Sequence, residues 1–125
     1  MKQPTKKENM LEAKKTTDEQ IKLYDTISRL LRAAFNEVKE FSKKKQDELL
    51  NEKKVKMINR LLEKAKEVLK EEPTVDFLDL LDENELPSNS DAVLTMSQYI
   101  SALDKFYRDH HHGESWGIEL GGDWD

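Results

Sequence analysis

Cysteine is absent from the 125-residue sequence. That excludes a disulfide framework, a thiolate zinc site and a cysteine nucleophile. Glycine and proline are scarce, at four and three residues, so long stretches run without a helix breaker. No apolar run approaches the roughly 18 residues that a membrane-spanning helix needs. Residues 1–12 are Lys-rich and polar and contain nothing like the apolar centre of a signal peptide. Cytoplasmic location is the expectation. A Gly-rich phosphate loop and a G-x-S-x-G element are also missing, and all three histidines fall at 110–112. No cofactor is expected, and a non-enzymatic role is.

What is present is charge and helical periodicity. Charged residues make up 38 % of the chain and apolar residues 36 %. That balance suits a slim core between long amphipathic helices with solvated outer faces. At this length the chain makes one domain. The net charge of −5 is unevenly spread. Residues 1–70 hold 19 Lys+Arg against 12 Asp+Glu, a net of +7. Residues 71–125 hold only Lys105 and Arg108 against 14 acidic residues, a net of −12. Three readings stand side by side: the halves pack on each other, the basic half faces an acidic partner such as nucleic acid, or the acidic half faces a basic partner or shields the basic one.

Residues 1–15 have little apolar content and predict a mobile basic arm. Thr16 with Glu19 three residues on fits a capping box at a helix start. Tyr24, Ile27, Leu31, Ala34, Val38 and Phe41 then recur at heptad-like spacing, and Leu23, Leu30 and Phe35 widen the face. The seam fails in the polar stretch 43–48. A second seam, Val55, Ile58, Leu62, Ala65 and Leu69, begins out of register with the first. The favoured arrangement is an antiparallel hairpin turning within 43–54. One bent helix from 17 to 72 would be roughly 80 Å long, hard to stabilise in a monomer.

Pro73 ends the second helix. Thr74 then starts a short segment of about two helical turns with Asp76, Asp79 and Asp82 on its outer face. Residues 84–90 read as a loop, with Ser88 or Ser90 capping the last helix. That helix carries Val93, Met96, Ile100, Leu103 and Tyr107, beside a second stripe of Ala92, Tyr99 and Phe106. Its wide apolar face predicts packing against both arms of the hairpin. The fold expected is all-α: an antiparallel bundle of three main helices plus one short acidic helix over 16–112, a basic arm at 1–15 and an acidic Gly/Trp-containing tail at 113–125.

Three clusters are candidates for chemistry. Asp109, His110, His111 and His112 attract notice as metal ligands, but adjacent histidines on a helix point apart and a zinc site would need a further ligand. A solvated helix end, with imidazolium near the negative pole of the dipole, is the expectation, and no metal site is assigned. Arg108 and His112 resemble the Arg–His motif of HEPN ribonucleases, also small helical bundles. Their spacing is one residue shorter than that family's pattern, and no activity is carried over.

Lys43, Lys44, Lys45, Lys53, Lys54 and Lys56 would gather at the tip of the hairpin, where they could contact phosphates. No interleaved aromatics support base stacking there. In the tail, Trp116, Ile118, Leu120 and Trp124 stand among acidic residues and could dock on a partner as a strand or in a groove, or fold back over the bundle. The leading expectation is a non-enzymatic protein–protein interaction module: an adaptor, an accessory subunit or a small inhibitor of antitoxin or immunity type. The alternatives are a nucleic-acid-associated subunit using the basic hairpin, and a helical oligomer that joins basic to acidic halves. Another protein is the expected partner, and a membrane is not.

Overall fold

The computed structural model describes residues 17–110. The basic arm at 1–15 and the tail at 113–125 lie outside the described residues. Among the described residues three α-helices pack together: α1 (Asp18–Lys44), α2 (Glu52–Val68) and α3 (Asn89–His110). A single 3-10 turn, Pro73–Phe77, stands between α2 and α3.

The start of α1 is one residue later than the sequence suggests. Thr17, not Thr16, is the cap, and Gln20 takes the place expected of Glu19. Thr17 Oγ1 accepts from the Gln20 N–H at 3.1 Å, and Gln20 Oε1 accepts from the Thr17 N–H at 3.2 Å. A glutamine completes this reciprocal pair as well as a glutamate does.

The hairpin reading holds. Residues 45–51 reverse the chain without glycine or proline. Asn51 caps α2 through its side chain, which accepts from the Lys54 N–H at 2.8 Å. The reversal is held from outside, by the beginning of α3. The N–H groups of Asn89 and Ser90, orphans of a helix N-terminus, donate to the Glu48 and Gln46 carbonyls at 2.8 and 3.1 Å. The Asn89 side chain donates to the Lys45 carbonyl at 2.9 Å, and Leu50 N–H donates to the Pro87 carbonyl at 2.9 Å. These bonds place the start of α3 beside the end of α1.

Helix α3 therefore runs antiparallel to α1 and parallel to α2. Arg32 of α1 pairs with Asp104 of α3, and Tyr24 stacks on Tyr107 with ring centroids 5.9 Å apart. The core joins Tyr24, Ile27, Leu31, Val55, Ile58, Leu62, Ala65, Met96, Tyr99, Leu103 and Phe106. In α3 the stripe Ala92–Tyr99–Phe106 is central and fully buried, while Val93 and Ile100 are only half-buried. Ser88 caps α3, accepting from the Asp91 N–H at 3.1 Å.

Because α2 and α3 are parallel, the chain must travel back between them, and residues 78–82 do so as a strap. The expected two turns of acidic helix reduce to the one 3-10 turn. Beyond it the backbone of Asp79 and Leu81 bonds to side chains. Asn59 grips Leu81 twice: its Nδ2 donates to the Leu81 carbonyl at 2.9 Å and its Oδ1 accepts from the Leu81 N–H at 2.8 Å. The Tyr99 hydroxyl donates to the Asp79 carbonyl at 2.8 Å. Leu78 and Leu81 of the strap are buried and belong to the same core cluster as the three helices. Among the described residues no helix is long and apolar enough to cross a membrane.

Candidate docking groove

With α3 and the strap packed on one side of the α1–α2 hairpin, its other side stays open. A groove of about 790 Å³ runs there between α1 and α2. Its floor is Leu30, Ala33 and Ala34 from α1 with Met57 and Leu61 from α2. Leu30 is 50 % exposed and Met57 54 % exposed. The rim carries Glu37 on α1 and Arg60, Glu63, Lys64 and Glu67 on α2. Lys64 and Glu67 pair with each other at 3.6 Å. Among the described residues, Glu37, Arg60 and Glu63 form no ion pair.

Local sequence explains the geometry. In α1, Tyr24, Ile27, Leu31 and Val38 face the core, while Leu30, Ala33 and Glu37 lie about a quarter to a third of a turn away. In α2 the core side is Val55, Ile58, Leu62 and Ala65, and Met57, Arg60 and Lys64 share the opposite stripe. The two outer stripes meet across the hairpin, and the small Ala33 and Ala34 leave depth between them. Leu30 is visible in sequence as a widening of the first seam. Met57 is not, because it stands alone among Lys53, Arg60 and Lys64.

The hairpin does bring the six lysines to one end. Lys43 and Lys44 lie in the last turn of α1, Lys45 is its C-cap, and Lys53, Lys54 and Lys56 lie in the first turns of α2. All six are exposed. Several are already engaged by their own neighbours. Lys43 pairs with Glu40 at 3.0 Å, Lys45 with Glu48 at 3.5 Å and Lys56 with Glu52 at 3.1 Å. The hydrogen bond and charge of Lys43 hold the Glu40 carboxyl below its ordinary pKa, and Glu52 pushes the Lys56 ammonium up in the same way. The Lys54 ammonium sits over the Phe41 ring, 4.8 Å from its centroid.

At the other end, the His cluster divides. Asp109 pairs with Lys105, whose hydrogen bond lowers the Asp109 pKa. His110 is not the solvated helix-end residue that the sequence suggests. Its ring packs on Phe106 at 4.4 Å between centroids, and its Nε2 lies 3.2 Å from a Glu72 carboxylate oxygen. It joins the end of α3 to the chain leaving α2. His111 and His112 lie outside the described residues. Among the described residues no three His, Asp or Glu side chains are placed to hold a metal ion. Trp116, Ile118, Leu120 and Trp124 also lie outside the described residues.

Comparison with protein-family models, curated proteins and solved structures returns no match.

Proposed function

We propose that this protein is a non-enzymatic protein–protein interaction module of the cytoplasm, an adaptor, accessory subunit or small inhibitor, that docks its partner in the α1–α2 groove. The observation that carries this is the pairing of Leu30 and Met57, each about half exposed and both facing one groove. Burying the exposed half of each side chain is favourable by on the order of 1 kcal/mol. A groove between two helices, apolar in its floor and charged at its rim, suits a helix laid along it.

The basic tip gives less support to a nucleic-acid role. Three of its six lysines are held by their own carboxylates and a fourth covers an aromatic ring. The test is a double substitution, Leu30→Glu with Met57→Glu, in the full chain. Both sites are open enough to accept a carboxylate, so melting temperature should change little. Complexes recovered from the native host at a mass above the free chain should disappear in the variant. Complexes that persist unchanged in a folded variant contradict the groove.

A further inference from the structure

Resting on that reading, we infer that the occupant of the groove is a second copy of this chain, related by a two-fold axis parallel to the helices. The charges of the rim carry the argument. They have both signs, and the pair across the groove is uncommitted: among the described residues Glu37 on α1 and Arg60 on α2 form no ion pair. They also stand at nearly the same height. The Lys54 ammonium over Phe41 fixes the level of α2 against α1. Four residues back from Phe41 is Glu37 and six residues on from Lys54 is Arg60, roughly 6 and 9 Å along antiparallel axes at 1.5 Å per residue.

A two-fold axis parallel to the helices sets α1 of one copy against α2 of the other, antiparallel and level. Each Glu37 then faces Arg60 of the partner subunit, so one dimer gains two such pairs. Leu30, Ala33, Met57 and Leu61 close against their symmetry mates as the apolar centre of a four-helix layer. The alanines permit close approach of the axes. The acidic C-terminal segment of the same chain is a poorer occupant. Residues 111–125 carry four carboxylates and no Lys or Arg, and the lining of the groove has three carboxylates against two cations.

Sedimentation of the purified full chain across micromolar to submillimolar concentration tests this. The wild type should pass from monomer to dimer. Leu30→Glu with Met57→Glu should weaken the dimer by about thirtyfold or more, the scale of losing interface anchors. Glu37→Arg alone should weaken it roughly tenfold, through two broken pairs and two repulsions. Adding Arg60→Glu to Glu37→Arg should restore it, a rescue that a merely destabilised fold would not show. A chain that stays monomeric to the highest concentration overturns the second copy as occupant, and so does a dimer indifferent to these substitutions. A monomer whose heterologous complexes still depend on Leu30 and Met57 overturns this inference while leaving the docking groove standing.

Discussion

Replacing Asn59 with alanine removes a side chain of α2 that fastens the strap. Asn59 is 4 % exposed, and its amide makes both bonds to the backbone of Leu81, at 2.8 and 2.9 Å. The same Nδ2 also donates to Glu83 at 3.2 Å. Without it, the Leu81 N–H and C=O are left buried and unpaired, each costing about 1–3 kcal/mol unless water reaches it. Allowing for partial rescue by water, the expected loss is ~3 kcal/mol. Against a typical domain stability of about 5–15 kcal/mol that is a large fraction. For a domain of this size it lowers Tm by on the order of 10–20 °C. Urea unfolding followed by circular dichroism measures it, with the slope of the transition expected to hold constant. Amide exchange adds a local readout: the Leu81 N–H should lose protection ahead of the α1 core. Asn59→Asp should also destabilise, since it keeps the acceptor for Leu81 N–H, loses the donor and sets a second carboxylate beside Glu83. A loss below ~0.5 kcal/mol for Asn59→Ala, the range of an ordinary surface change, would refute the clamp.

Two further outcomes follow from the aromatic core. Tyr99→Phe deletes the hydroxyl that donates to the Asp79 carbonyl and should cost about 1 kcal/mol in the same unfolding assay. Burial pushes the Tyr24 and Tyr99 hydroxyls well above the ordinary value of 10.0. Their folded-state pKa values exceed the unfolded ones, so the stability they contribute is complete below about pH 10 and is lost as pH rises beyond it. A plot of Tm against pH should bend downward there, with phenolate absorbance appearing together with unfolding, and Tyr99→Phe should soften the bend.

The helices were legible because their apolar spacing is regular. The seam from Tyr24 to Val38 and the seam from Val55 to Leu69 supply the buried faces of α1 and α2, with Leu69 just past the last turn, but Phe41, read as the last member of the first seam, is 40 % exposed and lies under the Lys54 ammonium. The broken register between them correctly implied a hairpin. What the spacing could not show was anything held by distant polar groups. The turn at 45–51 depends on N–H groups of Asn89 and Ser90, some 40 residues away. The strap depends on Asn59, which breaks the apolar pattern of α2 yet is buried. Residues Val75 to Leu81 have a composition that suits a helix. Pro73 and the bonds to Asn59 and Tyr99 leave them one 3-10 turn and a non-helical run instead.

The basic tip was legible once the hairpin was, since both lysine runs flank the turn. The groove was not, for a geometric reason. Its stripes lie outside the main seams and mix Leu and Met with Ala, Glu and Arg, so they read as a solvated surface until α3 is known to occupy the other side. Leu30 hinted at it, and Met57 gave no signal.

A photo-crosslinking residue placed at Met57 in the full chain, compared in living cells with the same residue at Leu94, tests the groove most directly. Leu94 lies on α3, is 61 % exposed and does not line the groove, so it controls for exposure alone. The expected result is a discrete adduct from position 57, absent from position 94 and lost when Leu30→Glu is added. No adduct from 57, or equal adducts from both positions, would contradict the assignment of the α1–α2 groove as the docking surface.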